Sequence, residues 1–344
     1  MNHEYFMQRC LELAFMGLAE ASPNPSVGAV LVHDNKIIAE GATSAYGGPH
    51  AEVNCIQNVK AEDQHLIKNS RLYVSLEPCS HYGKTPPCSD LIIANKIPQV
   101  IIANKDPNVL VAGKGIAELK DSGIELIEGV LEKEGFELNR RFFTFHTKKR
   151  PYIILKWAQT PEGYFAPDNK SQFWITNKKT KALVHSWRSQ EMGILVGENT
   201  ILSDDPRLNT RLVEGKNPVR IVLNANQHLD EKLKIFQDEQ PTLVFSFEQR
   251  VDFKKVKFVL LNSEESIIKQ VLEHLYEFQI NSIIIEGGAF TLNSFIAEGL
   301  WDEARILTGA NELGSGIKAP KILGTRKDYF YLLEDKIEIL RNKS

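Results

Sequence analysis

The sequence predicts an α/β protein built as two domains. Three observations carry that prediction. At 344 residues the chain exceeds the usual size of a single domain, and its 42% hydrophobic residues supply core for two. Short β-branched or apolar runs alternate with helix-period segments in both halves, the pattern of helix-flanked sheets with parallel strands. A basic, proline-ended stretch, His146 to Pro151, interrupts that alternation near the middle and reads as a solvated linker. The boundary is therefore set at 147/148, giving domains 1–147 and 148–344.

In the first half, apolar residues from Tyr5 to Gly17 recur near helical spacing, so residues 3–20 form an amphipathic helix ended by Ser22-Pro23-Asn24-Pro25. Val27 to Val32 and Lys36 to Glu40 flank Asp34-Asn35 as a β-hairpin. Gly47-Gly48-Pro49 opens a helix running to about Val59, with His50 and Glu52 on its first turn. Arg71 to Leu76 is a strand, Cys88 to Asn95 a helix, and Gln99 to Ala103 and Ile124 to Ile127 are further strands. Helices are expected near Gly115 to Lys120 and from Val130 to Phe143. Gly113-Lys114-Gly115 lacks the upstream glycine and following Ser/Thr of a phosphate loop and is read as an ordinary turn.

In the second half, strands are expected at Tyr152 to Lys156, Met192 to Val196, Val219 to Leu223, Thr242 to Phe247, Phe258 to Leu261 and Ser282 to Ile285. No Gly-x-Gly-x-x-Gly follows the first of them, which disfavours a Rossmann-type dinucleotide site. Glu286-Gly287-Gly288 instead sits between a strand and a helix, Thr291 to Ala297. Glycine there lets backbone N–H groups approach a pyrophosphate, although a strand-to-helix turn also requires glycine for steric reasons alone.

The chemistry-bearing pattern is His50-Ala51-Glu52 answered by Pro78-Cys79 and Cys88. One imidazole and two thiolates supply three zinc ligands and leave a position open for water, and a non-ligating glutamate moves protons; this is the pattern of zinc-dependent nucleobase deaminases. His50, Cys79 and Cys88 are the expected ligands and Glu52 the catalytic acid–base. That pattern usually has two residues between its cysteines, whereas eight, Ser80 to Pro87, separate Cys79 from Cys88, so a loop is required. The alternative is three unrelated residues, a helix-start histidine and two core cysteines.

Ser75 to Cys88, with its widened cysteine gap, resembles the zinc loop of the bifunctional deaminase/reductase of riboflavin biosynthesis. Pro23 to Gly28 and Gly48 to Glu52 resemble that family's other deaminase motifs. Lys156-Trp157-Ala158, Trp174-Ile175-Thr176, Gly197 to Thr200 and Asp204 to Leu208 resemble its reductase half, in order from about Lys156 to Pro320. The resemblance implies a cytidine-deaminase-like three-layer α/β domain followed by a dihydrofolate-reductase-like domain. It implies Zn2+ and NADPH as cofactors and a small-molecule phosphoribosylaminopyrimidine as substrate: hydrolytic deamination first, then reduction of the ribosyl arm to a ribityl chain. By position, NADPH contacts fall to Ala158, Trp174, Thr200, Asp204, Gly287 and Gly288. Substrate contacts fall to Asn24, Lys84, Arg188, Leu208, Arg211 and Glu286, arginine suiting a phosphate by its two-pronged donation. Tyr82, Gln172-Phe173, Asn224-Ala225 and Phe290 depart from the family's pattern. Asp204, Glu286 and Lys156 all stand as candidate proton donors in the reduction.

Charge narrows the partners. Residues 1–147 carry 13 Lys/Arg against 18 Asp/Glu, or −5, and the remainder +2, for −3 in all. Neither half has the basic face that nucleic-acid binding demands. No run approaches the roughly 20 apolar residues of a membrane span, and Glu4 and Glu12 stand where a signal peptide would be basic. Four cysteines make no disulfide framework; with two on zinc, Cys10 and Cys55 are core thiols. A cytoplasmic protein is expected, with no nucleic-acid or membrane partner and with a homo-oligomer left open. A zinc that only staples a loop is the other reading of the motif, and it would need a fourth protein ligand, His81 being the nearest in sequence.

Overall fold

The structure is a computed structural model that describes residues 2–82, 86–109, 111–168, 173–224 and 229–343, apart from the side chain of residue 19. It divides into two compact units, Met1–Lys149 and Arg150–Ser344.

The first unit runs α1 (His3–Ala21), β1 (Gly28–His33), β2 (Lys36–Ala42), α2 (Ala51–Gln57), a 3-10 segment (Ala61–Asn69), β3 (Arg71–Leu76), α3 (Cys88–Ala94), β4 (Gln99–Asn104), α4 (Lys114–Asp121), β5 (Glu125–Glu128), α5 (Glu132–Leu138) and α6 (Arg140–Lys148). Its sheet has the order β2-β1-β3-β4-β5. The β1–β2 hairpin turns through Asp34 and Asn35, both at positive φ (45° and 62°), as a two-residue hairpin turn requires. β3, β4 and β5 pair in parallel. Because side chains alternate across a strand, Val30, Val32, Tyr73 and Ile101 meet Phe6, Met7 and Cys10 of α1. Ala29, Leu31, Val74 and Ile102 form the other face, under the helices on the far side. The unit is thus helix, sheet, helix.

Two expectations are corrected here. The single helix from Val130 to Phe143 is two helices, broken at Asn139, whose side chain accepts from Ser26 N (2.9 Å) and donates to Ser26 O (2.8 Å) across 113 residues. Sequence periodicity has no view of that clasp. The stretch from His146 to Pro151 is a solvated linker only in part: Thr147 to Lys149 are exposed, but α6 continues through Lys148 and Arg150 forms a two-pronged ion pair with Asp302 (2.6 and 2.9 Å).

The second unit contains β6 (Tyr152–Gln159), β7 (Tyr164–Ala166), α7 (Lys178–Gln190), β8 (Gly193–Gly197), α8 (Glu198–Asp204), β9 (Val219–Leu223), β10 (Thr242–Ser246), β11 (Val256–Leu260), α9 (Ile267–Glu277), β12 (Ser282–Ile285), α10 (Ala289–Ala297), β13 (Glu303–Thr308), β14 (Ile317–Lys318), β15 (Thr325–Leu332) and β16 (Asp335–Arg341). The main sheet has the order β11-β10-β9-β8-β12-β6-β13-β16-β15, parallel from β11 through β13 and antiparallel in its last two strands. Ile153 and Leu155 of β6 pack under α9 and α10, while Tyr152 and Ile154 pack under α7 and α8. β13, β15 and β16 carry no strand expectation from the sequence. Alternating charges disguise β13, whose Glu303 is buried against Tyr152, Arg305 and Arg341.

The Asn139 clasp is testable. Asn139→Ala leaves the buried N–H and C=O of Ser26 without their partner, so the urea midpoint of the first unit should fall by an equivalent of about 1–3 kcal/mol. An unchanged midpoint would mean that the helix break is set by local sequence instead.

Candidate active sites

In the first unit the C-terminal end of β3 delivers Cys79, the start of α3 supplies Cys88, and His50 caps the start of α2. His50 stands just before the first helical turn rather than on it, with extended backbone (φ −75°, ψ 164°). The His50 Nδ1 atom lies 3.6 Å from Cys79 Sγ and 3.4 Å from Cys88 Sγ, and the three ligand atoms lie within 4.8 Å of one another. Among the described residues no fourth His, Cys, Asp or Glu joins the group, and His81 is exposed. The Cys88 N–H points at Cys79 Sγ (3.4 Å). The Cys88 thiol, that N–H and His50 hold the Cys79 thiol down at about 4, and the same sharing of one proton pushes Cys88 upward. The hydrogen bond to Cys79 raises His50. One imidazole and two thiols converging on one point are the donor set that zinc takes, with a coordination position to spare. Glu52, 4% exposed, adjoins Cys88, and burial pushes its carboxyl up to about 7.

Of the other residues expected here, Asn24 is exposed in the loop after α1, and Lys84 lies outside the described residues. The sequence reading missed Glu77, which is buried and accepts backbone N–H groups from Asp106, Gly113 and Ile116. Those donors lie 29 to 39 residues downstream, beyond any local signal.

In the second unit a cavity of about 850 Å³ is lined by Ala158, Trp174, Asp204, Arg188, Arg211 and Glu286, and also by Leu208. Leu208 is itself a core residue in the left-handed region (φ 51°). Glu286, at the end of β12, is gripped by Arg188 (Nε–Oε1 2.6 Å, Nη2–Oε2 2.8 Å) and Lys156 (3.3 Å). Burial alone would raise this carboxyl, but the Arg188 and Lys156 charges overcome it and hold it down at about 2. Sequence reasoning missed the rest of the basic wall, the cations Lys181, Arg207 and Lys234 and the imidazole of His185. Its signal was present, since Lys181, His185 and Arg188 recur at i, i+4, i+7 on one face of α7. His185 accepts the Arg211 N–H at Nδ1 (3.2 Å); burial, then Arg188 and Arg211, hold it down at about 4, so it is neutral. Burial, then neighbouring arginines, lower both Lys181 and Arg211.

Thr200, Gly287 and Gly288 do not line that cavity but adjoin one another. A Cβ on Gly287 would come within 2.9 Å of Thr200 Oγ1, and Gly288 has φ 66°. At the end of neighbouring β9, the buried Asn224 Oδ1 has no hydrogen-bond partner among the described residues. A glycine cradle and an orphaned acceptor at the ends of the adjacent strands β12, β8 and β9 fit a nucleotide cofactor. Phe173 lines the cavity and Phe290 is exposed, whereas Gln172 and Ala225 lie outside the described residues.

Comparison with known proteins defines the class first. Residues 1–104 match the family model of the cytidine and deoxycytidylate deaminase zinc-binding region, and residues 151–336 that of the RibD C-terminal domain. The chain is 38% identical to the riboflavin biosynthesis protein RibD of Aquifex aeolicus, over 98% of this chain and 94% of that one, and 33% identical to RibD of Escherichia coli, over 92% and 89%. A crystal structure of a diaminohydroxyphosphoribosylaminopyrimidine deaminase/5-amino-6-(5-phosphoribosylamino)uracil reductase from Thermotoga maritima superposes with a TM-score of 0.88 at 36% identity, covering 99% and 98% of the two chains. Acinetobacter baumannii RibD gives 0.90 at 30% identity, covering 99% of each. The chain belongs to the RibD family of riboflavin biosynthesis proteins.

The Glu286 pair makes a pH-dependent prediction. A carboxylate held below its ordinary value of 4.5 contributes stability that is present above that value and is lost as pH falls towards about 2. Removing one partner of a buried pair usually costs about 3–5 kcal/mol, less here because Lys156 remains. Arg188→Ala should therefore destabilise the second unit most above pH 4.5, and urea unfolding across pH should show the difference from wild type shrinking below it. A pH-independent difference would assign Arg188 to packing alone.

Proposed function

We propose that His50, Cys79 and Cys88 hold the zinc and Glu52 moves the protons of a hydrolytic deamination. On the same reading, the cavity of the second unit carries the NADPH-dependent reduction that follows. The protein is a bifunctional deaminase and reductase of riboflavin biosynthesis. The substrate of the first step is the diaminohydroxyphosphoribosylaminopyrimidine and that of the second the 5-amino-6-(5-phosphoribosylamino)uracil named for the Thermotoga maritima relative. The observation that carries the reading is the three-ligand cluster with a buried carboxyl beside it.

Bound zinc supplies Lewis acidity that brings the pKa of water towards neutrality. Glu52, buried beside Cys88, is placed to take a proton from water and pass it to the departing amine. In the reductase, NADPH supplies the hydride. Thr200, Gly287 and Gly288 would hold its phosphates, and Ala158, Trp174 and Asp204 would contact the rest. Arg211, assisted by Lys181, takes the substrate phosphate, since the two are cations crowded together near the neutral His185. Glu286 stays ionised at neutral pH and accepts hydrogen bonds rather than donating a proton, which leaves Lys156 or Asp204 as the proton source. Asn24 and Lys84 belong to the deaminase substrate site, and Leu208 contacts the substrate of the reductase, on the family resemblance. No helix among the described residues is long and apolar enough to cross a membrane. The four cysteines are free thiols, which suits a reducing cytoplasm. Neither unit's charge favours nucleic acid.

A coupled assay with the diaminopyrimidine phosphate and NADPH, following ammonia and NADPH separately, tests this. Glu52→Gln should lower ammonia release by at least about 100-fold, the scale of general acid–base catalysis, while still reducing supplied deaminated intermediate. Zinc chelation should have the same split effect. Ammonia release surviving Glu52→Gln would reject the proton-transfer role. Arg211→Ala should raise the KM for the deaminated intermediate about 10-fold or more, as loss of a charge-assisted phosphate contact does. An unchanged KM would place the phosphate elsewhere.

A further inference from the structure

The three backbone N–H groups that converge on Glu77 form an anion site filled from within. Asp106 N (3.1 Å) and Gly113 N (3.0 Å) donate to Oε2, and Ile116 N (3.2 Å) to Oε1. Gly113 and Ile116 belong to the glycine-lysine-glycine turn and the first turn of α4, where N–H groups have no partner within the helix. Glu77 is only 3% exposed. From this anchor the chain is fixed residue by residue to the zinc ligand. The Glu77 N–H donates to Asn104 O (2.9 Å). Pro78 O lies so close to α4 that a Cβ on Gly115 would come within 2.0 Å of it. Cys79 O accepts from Ser89 N (3.1 Å), and the Ser89 hydroxyl, 3.2 Å from Cys79 O, donates its one proton to Glu118 (2.7 Å).

We infer that Glu77 is a positioning residue of the metal centre: its carboxylate docks the β3 end onto α4 and so sets where Cys79 Sγ meets His50 and Cys88. This rests on the reading of His50, Cys79 and Cys88 as the zinc ligands. A metal site tolerates little displacement of a ligand, and groups that orient ligands from behind commonly change metal affinity about 10–100-fold when replaced. An amide cannot serve in the carboxylate's place. With its oxygen towards Asp106 and Gly113, the Glu77→Gln side chain turns an NH2 group on the Ile116 N–H, donor against donor.

The experiment is a zinc competition titration of the full chain, together with Co2+ substitution. Glu77→Gln should weaken Zn2+ binding about 10–100-fold and alter the visible Co2+ band that reports two thiolates in a tetrahedral field, with Glu77→Ala more severe. Gly115→Ala, whose added Cβ pushes from α4 on Pro78 O, should reproduce the loss with the Glu77 carboxylate retained. A purely structural Glu77 would lower the melting temperature of the apo and zinc forms equally and leave the affinity and the Co2+ band as in wild type, and that result overturns the inference. If Glu77→Ala does not fold, the Glu77→Gln affinity decides. Wild-type chain that binds no zinc would overturn the ligand reading itself, an outcome distinct from wild-type binding with unaffected variants.

Discussion

Parallel strand pairing is the constraint from which both sites follow. Strands that run together end together, and each is followed by a helix whose first N–H groups lie at that same edge of the sheet. In the first unit β3 and β4 end side by side, and the edge they share receives the starts of α3 and α4. In the second, the end of β12 lies level with Leu195 of β8 and Leu155 of β6, which brings Gly197, Glu286 and Lys156 to one edge. Unpaired backbone donors concentrated there make the edge a place for thiolates, carboxylates and phosphates. The antiparallel strands β15 and β16 widen the second sheet without contributing to that edge.

Two glutamates show how far surroundings decide what a residue does. Glu52 and Glu286 are both buried carboxyls near a strand end. Glu52 has a hydrophobic burial poorly offset by His50 and sits at about 7, poised to gain or lose a proton. Glu286 has a guanidinium and an ammonium within 3.3 Å and sits at about 2, fixed as an anion. The first is suited to carrying protons and the second to holding hydroxyl groups and cations in place. Nothing in the identity of the residue separates them; the difference lies in Arg188 and Lys156.

What the sequence disclosed, and what it did not, divides by range. The parallel strands were legible because buried strands are nearly continuous β-branched runs. The convergence of His50, Cys79 and Cys88 was legible because their residue types and order are unusual enough to stand out in any fold. Asn139 was invisible, since its partner Ser26 is 113 residues away and a helix pattern continues smoothly through it. Glu77 was passed over for the same reason, its three donors lying in segments with no recognisable relation to it. β13 failed differently: Glu303 and Arg305 look like a solvated edge, but they are buried and matched to partners on other strands. Lys181 and His185 did carry a periodic signal, yet charged residues on a helix face are so often solvated that only the cavity distinguishes them.

The Glu77 nest has one more consequence. Backbone amides at a glycine-bearing turn ahead of a helix will accept any compact anion, and a cell is rich in phosphate and nucleotides. By supplying the anion covalently, the chain keeps its own tenant at an effective concentration that free phosphate does not match. The turn before α4 is in this sense an anion loop permanently occupied by the protein itself.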